Sequence, residues 1–295
     1  MLCCLSTTLL VATFVAAESS LKLAKLDSDS QAGRSGTTDN WSVLNPKKLT
    51  LRSAAALVTD RDGNEVYAKR GDKALPIASI TKLMTAMVIL DSSLPLDEPI
   101  TITREDRDLI QLTGSRLEYG ATLTRRQMLQ LALMASENRA ANALGRTWPG
   151  GMKAFIKAMN EKARTLGMQT ARFTDPAGLD PGNVASARDL VKMVRAAATY
   201  PAIRKATTTK SISIRPYKRR GPLKYVNTNR LLKNKSWTIQ LSKTGYLNEA
   251  GRCLTMQAKI VDEPLVIVLL NSFGKLTPFG DSNRIRKWIE SGIKG

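Results

Sequence analysis

The chain has 295 residues, 43% of them hydrophobic and 5% aromatic, which supplies one large core or two modest ones and excludes disorder throughout. Lys and Arg number 45 against 25 Asp and Glu, a net charge of +20, and His is absent. Without an imidazole, a Ser/His/Asp triad, a Cys/His dyad and His-ligated zinc are all excluded, so an activated hydroxyl must be served by Lys, a carboxylate or Tyr.

Residues 1–17 carry no charged side chain and run through Leu9, Leu10, Val11, Ala12, Thr13, Phe14, Val15 and Ala16 to Ala17, just before Glu18. A short apolar core that ends with Val15 and Ala17 at the minus three and minus one places predicts a secretory signal peptide. The segment before the core lacks Lys and Arg, which leaves an uncleaved anchor open, and no later stretch reaches the roughly 20 apolar residues of a membrane span. Cys3 and Cys4 lie in this segment, so a processed chain keeps only Cys253, and both a disulfide scaffold and a thiolate metal cluster are excluded. Residues 18–46, rich in Ser, Asp, Gly and Thr, predict a flexible lead-in.

Two short β-prone runs, Leu51–Val58 and Glu65–Lys69, flank an Asp62-Gly63 hairpin turn. Ser79–Leu90 follows Pro76 and is apolar around nearly its whole circumference, which predicts a buried central helix. Thr124 caps a helix running to Met134, a second starts near Asn138, and Met152–Leu166 has the spacing of an amphipathic helix. Ser186 and Asp189 resemble a capping box for a helix to about Thr199. After Pro201 the pattern changes to strands at Ser211–Ile214, Ile239–Thr244, Cys253–Val261 and Leu265–Leu270, with a turn near Glu263-Pro264 and a last helix over Ser282–Ile289. This order predicts an α+β fold in which a mainly antiparallel sheet is flanked by helices. An all-helical subdomain at roughly 92–185 is inserted in a domain over 47–295, with a cleft at the junction.

Ser79-Ile80-Thr81-Lys82 places a hydroxyl and an amine three residues apart, on one face of the buried helix near its N-terminus. Desolvation and a second cation would both lower the Lys pKa toward neutrality, where Lys82 can take the Ser79 proton. The spacing alone also occurs at Ser19/Lys22, Ser272/Lys275 and Ser291/Lys294, but only Ser79 opens a long apolar helix. Ser136-Glu137-Asn138 between two helices and Lys243-Thr244-Gly245 on a late strand each occur once. Taken singly they read as a helix-linking cap and an edge-strand Lys. Together the three motifs follow the order used by penicillin-binding proteins and serine β-lactamases.

The chain resembles a low-molecular-mass penicillin-binding protein of the D-alanyl-D-alanine endopeptidase type. Pro76-Ile77-Ala78, Leu83–Met87, Leu133–Ala141, Pro149–Gly151, Lys153–Asn160, Asp175-Pro176-Ala177-Gly178-Leu179, Asn227-Thr228-Asn229 and Trp288–Gly292 carry the likeness, which runs from about Leu51 to the end. The resemblance implies a β-lactamase/DD-peptidase fold with Ser79 as nucleophile and Lys82 as its base. It further implies Ser136 as proton relay to the leaving amine, Asn138 orienting Lys82 and substrate, and Lys243 as a second cation that binds the substrate carboxylate with Thr244. Gly245 would leave room for substrate along the strand, and the backbone N–H groups of Ser79 and Tyr246 would form the oxyanion hole. Tyr246 stands where the carboxypeptidase branch often has His. Glu137 has no derived role, either a solvated helix-end carboxylate or a contact to a substrate amine. The chain stops soon after the last helix, so attachment through the C-terminal domain and anchor of carboxypeptidase relatives is not expected.

No acidic residue lies between Asp189 and Glu249, while fourteen Lys and Arg do. This basic stretch reads as a solvated surface or as a field that attracts stem-peptide carboxylates or anionic lipid heads. The resulting expectation is a periplasmic serine DD-endopeptidase, monomeric, with no cofactor or metal. It would act on peptidoglycan stem peptides, be inhibited covalently by β-lactams, bind no nucleic acid, and leave peripheral contact with an anionic membrane surface open. Its rivals are a DD-carboxypeptidase and a non-catalytic basic wall-binding protein. A class A β-lactamase is disfavoured because no Glu-x-x-Leu-Asn follows the middle helices.

Overall fold

The computed structural model describes residues 41–294, so the proposed signal segment and nearly all of the lead-in lie outside the described residues. The chain divides after Val43, and the second unit, Leu44–Gly295, carries the fold. The second unit starts with β1 (Ser53–Thr59), β2 (Glu65–Lys69), β3 (Leu75–Pro76) and the buried helix α1 (Lys82–Asp91). The short strands β4 (Pro99–Thr101) and β5 (Thr122–Thr124) lead into α2 (Arg125–Met134), α3 (Asn138–Arg146) and α4 (Gly151–Thr165). Then come β6 (Val184–Ala185), α5 (Ala187–Ala198), α6 (Pro201–Thr208) and the hairpin β7 (Ser211–Ile214) and β8 (Leu223–Val226). Three long strands, β9 (Thr238–Leu247), β10 (Gly251–Ile260) and β11 (Glu263–Ser272), and helix α7 (Thr277–Lys294) complete the chain.

The central sheet has the order β2-β1-β11-β10-β9 with every neighbour antiparallel. Leu265–Leu270 of β11 are buried without a break, so both faces of the sheet are covered. Helices α5 and α7 pack on it, and Asp281 ties α7 to the start of β1 by accepting from the Ser53 backbone N–H at 2.7 Å and its hydroxyl at 2.6 Å. Helix α1 packs on α2, α3, α4, α5 and α6 at once, which explains why it needs apolar residues on every side. Strand β9 is one of the two edges of the sheet and faces the turn before α1.

The structure departs from the sequence reading at several places, first in the stretch at 92–185, which is not all-helical but also holds the paired strands β4 and β5 and the short strand β6. Ser79 is not in the α-helix but in a 3-10 turn, Ala78–Thr81, because Ala78 has a positive φ of 48° and the chain tightens before Lys82 starts α1. Pro201 opens a helix rather than a strand region, occupying a first-turn position where its missing N–H costs nothing. Ser186 caps α5 by accepting from the Asp189 N–H, but the Asp189 carboxylate turns to the Gln169 and Thr170 N–H groups instead of closing a box. The turn near Glu263 is made by Val261 and Asp262, both at positive φ, and Pro264 is already in β11 opposite Lys259. Finally α7 is longer than expected, with Pro278 in its first turn.

The Asp175–Gly182 loop lies against the Ala78–Thr81 turn, and Gly178, at φ 74°, packs so closely that an added Cβ would sit 2.0 Å from the Ala78 carbonyl oxygen. Gly178→Ala should therefore lower the unfolding free energy by about 2 kcal/mol or more, read as a shift of the denaturant midpoint.

Candidate active site

Lys82 is fully buried, and its Nζ donates to Ser79 Oγ at 2.8 Å, Asn138 Oδ1 at 2.8 Å and the Ala177 carbonyl at 2.6 Å. These three acceptors match the three hydrogens of an ammonium. In the neutral amine only two hydrogens remain. Ala177 O and Asn138 Oδ1 can only accept, so they retain those two, and the nitrogen lone pair faces the Ser79 hydroxyl. Burial pushes the Lys82 pKa down from 10.5 to about 7, against the opposing pull of Asp175, Glu137 and Asp108.

Each acceptor is held by further groups. Asp108 receives the Thr113 hydroxyl proton at 2.6 Å, so the Thr113 oxygen is left to accept from Asn138 Nδ2 at 2.9 Å. A carboxylate can only accept, so this chain fixes which way round the Asn138 amide sits and turns its Oδ1 to Lys82. The Ala177 carbonyl is set by Asp175, whose carboxylate accepts from the backbone N–H groups of Ala177 and Gly178 at 2.6 Å and Asp180 at 2.8 Å, and from Asn183 Nδ2 at 2.5 Å. No motif reasoning had singled out Asp108 or Thr113, because both lie in an irregular loop without periodicity. Asp175 stood in a segment of resemblance, but its role depends on the loop closing around it.

Lys243 lies on β9, 1% exposed, and its Nζ donates to Ser136 Oγ at 3.0 Å and to the Thr244 carbonyl at 2.9 Å. Ser136 sits at a positive φ of 59° between α2 and α3, and this bend brings its side chain to the strand. Thr244 Oγ1 donates to Thr228 Oγ1 at 2.6 Å, and the Thr228 N–H bonds the Met134 carbonyl, so the segment 227–229 links β9 to the end of α2. Burial and the charge of Lys82 both push Lys243 well below its ordinary pKa, with no carboxylate to hold it up. The sequence reading has Lys243 depressing Lys82. The carboxylates Asp175, Glu137 and Asp108 support the charge of Lys82, while burial and the charge of Lys82 disfavour that of Lys243.

Gly245 approaches the Ala78–Thr81 turn so closely that an added Cβ would lie 2.9 Å from the Ile77 carbonyl oxygen and 3.2 Å from the Ser79 nitrogen. Tyr246 is 49% exposed, its hydroxyl donates to Asn248 Oδ1, and its ring lies under the Arg252 guanidinium. Ser79, Ser136, Asn138, Thr244, Gly245 and Tyr246 line one cleft of about 290 Å³, with Arg230, Arg252 and Lys275 around it. The buried Lys82 and Lys243 reach it from below through Ser79 and Ser136. All eight residues named from the sequence are thus brought to one place. Among the described residues no group of three or more Cys, Asp or Glu could hold a metal ion. The arrangement can form and break a covalent bond at Ser79 with Lys82 as proton acceptor and cations ready for an anionic ligand.

The D-alanyl-D-alanine carboxypeptidase family matches residues 42–274 of the chain. A D-alanyl-D-alanine endopeptidase of Pseudomonas aeruginosa is 47% identical over 248 residues, covering 84% of this chain and 80% of the relative. A D-alanyl-D-alanine endopeptidase of Escherichia coli is 45% identical over 243 residues, covering 82% and 78%. The structure of penicillin-binding protein D2 from Listeria monocytogenes, in its cefotaxime-bound form, superposes with a TM-score of 0.72 at 27% identity over 82% of this chain and 98% of that one.

Acylation of Ser79 should fall about tenfold for each pH unit below about 7 and level off above it, because only the neutral Lys82 accepts a proton. Stopped-flow acylation rates across pH check this. Thr113→Val, which frees the Asn138 amide, should slow acylation roughly tenfold at unchanged thermal stability, and Thr113→Ser should restore it.

Proposed function

The chain belongs to the D-alanyl-D-alanine carboxypeptidase family, and we propose that within this family it is a periplasmic endopeptidase that opens D-alanyl cross-links between peptidoglycan stems. It is a serine-type D-Ala-D-Ala peptidase of the β-lactamase/DD-peptidase fold. The observation that carries the reading is the buried Lys82 amine, with a pKa of about 7, at 2.8 Å from Ser79 Oγ.

In this mechanism Ser79 Oγ attacks the D-alanyl carbonyl carbon while its proton passes to Lys82 Nζ. The carbonyl oxygen becomes an oxyanion in the hole made by the Ser79 and Tyr246 backbone N–H groups. Support for the hole comes from β9 being a free edge and from Gly245 packing against the Ser79 nitrogen. When the C–N bond breaks, the leaving nitrogen takes its proton from Ser136 Oγ, which is replenished through the two lysines. The substrate carboxylate lies on Lys243 and Thr244, and it supplies the anion that Lys243 lacks in the free protein, restoring its charge on binding. Water then hydrolyses the acyl-enzyme, with Lys82 again taking the proton. A β-lactam follows the same first step, but its leaving amine stays tethered and the acyl-enzyme persists.

The endopeptidase reading rests on the two relatives and on Tyr246 at the position after Gly245. Export through the apolar segment 1–17 belongs to the same proposal, as does a single catalytic domain over 47–295 with a helical insertion at about 92–185.

Ser79→Ala should lose fluorescent-penicillin labelling and at least about a thousandfold of its dimer cleavage. Conversion of cross-linked muropeptide dimers to monomers by the unaltered protein, faster than release of D-Ala from a pentapeptide, is expected. Release of D-Ala without dimer cleavage would make it a carboxypeptidase.

A further inference from the structure

A second cavity, of about 410 Å³, adjoins the cleft and shares Ser136 and Asn138 with it. Its remaining walls are Gly114, Ser115, Arg116, Ala135, Glu137 and Tyr225. Tyr225 is 1% exposed, and its buried hydroxyl has no hydrogen-bond partner among the described residues. Such a group is unfavourable when dry and calls for a ligand donor or acceptor. The Arg116 guanidinium lies 3.8 Å above the Tyr225 ring and uses one nitrogen on the Lys224 carbonyl at 2.6 Å, which leaves other N–H groups to donate. Glu137 is 8% exposed, and one of its oxygens is held by the Ser115 hydroxyl at 2.5 Å. The cavity therefore offers a cation and a carboxyl group around one space, with an unsatisfied hydroxyl closed off in the Tyr225 wall, a lining suited to a peptide that carries amide N–H groups and a free carboxylate.

Ser136 indicates which part of a substrate this would be. Resting on the proposed mechanism, Ser136 Oγ hands the proton to the leaving nitrogen, so whatever is attached to that nitrogen continues toward the cavity that Ser136 also walls. We propose that this cavity is the subsite for the leaving strand. The second stem peptide of a cross-link enters it, with a carboxylate on Arg116 and peptide N–H groups on Glu137, and the Tyr225 hydroxyl, closed off in the free protein, gains an amide partner as the stem enters. Free D-Ala is too short to reach these groups, so the cavity separates cross-linked dimers from pentapeptide ends.

The test compares kcat/KM for a cross-linked muropeptide dimer, kcat/KM for a monomeric pentapeptide and the rate of fluorescent-penicillin acylation, in the full chain and in Tyr225→Phe and Arg116→Gln. Tyr225→Phe removes only the hydroxyl and keeps the ring under Arg116, while Arg116 is at the surface, so its variant preserves the fold. Each variant should lose about tenfold in kcat/KM for the dimer, while pentapeptide turnover and penicillin acylation stay within about twofold. Dimer cleavage unchanged in both variants overturns the subsite and leaves the endopeptidase reading standing. An equal fall on all three substrates also overturns it, since that marks a structural effect on Ser79. If the unaltered chain acylates with penicillin but does not cleave dimers, the endopeptidase reading and the subsite fall together.

Discussion

Everything in the site depends on an amine that is kept out of water. Moving Lys82 from its ordinary value of 10.5 to about 7 corresponds to roughly 5 kcal/mol of differential interaction against the charged form. Burial supplies this, and it can do so only because α1 is enclosed by five other helices and because β9 closes over the turn before it. Three carboxylates, Asp175, Glu137 and Asp108, act in the opposite direction and keep the shift from going further. The balance leaves Lys82 able to exchange a proton near neutral pH, which is the requirement of a base that must both take and return it.

The second lysine shows what the same environment does without that balance. Lys243 is as buried as Lys82 but among the described residues has only Ser136 and a backbone carbonyl as hydrogen-bond partners. Its charge is therefore unfavourable until an anion arrives. A site with two amines so close together is poised to accept a carboxylate, and binding that carboxylate sets the protonation state that the chemistry needs. The basic surroundings of Arg230, Arg252 and Lys275 at the cleft reinforce the attraction for an anionic ligand.

Most of the supporting geometry is made from loops rather than helices or strands. Asp175 gathers a run of backbone N–H groups and thereby presents the Ala177 carbonyl. Asp108 and Thr113 orient the Asn138 amide. The same irregular segments account for what was not legible in the sequence, since a carboxylate that closes a loop has no periodicity to give it away. Helix α6 escaped for a related reason, because Pro201 can open a helix as readily as it can interrupt one. The Ala78–Thr81 turn escaped because Ala78 takes a positive φ that nothing in its side chain requests.

From the sequence alone came the exclusion of imidazole chemistry, His-ligated zinc and thiolate clusters, the antiparallel sheet with its buried helix, and seven site residues in three motifs, with Tyr246 added by the resemblance, because those depend on composition, on periodicity and on short spacings. Tertiary structure decided which carboxylates support the charge of Lys82, which way the Asn138 amide faces, and that Tyr225 has, among the described residues, an unpartnered hydroxyl beside Arg116 and Glu137. These are matters of burial and of contacts between residues dozens of positions apart. A pKa or an unmet hydrogen bond is a property of the surroundings, and the surroundings exist only once the chain has folded.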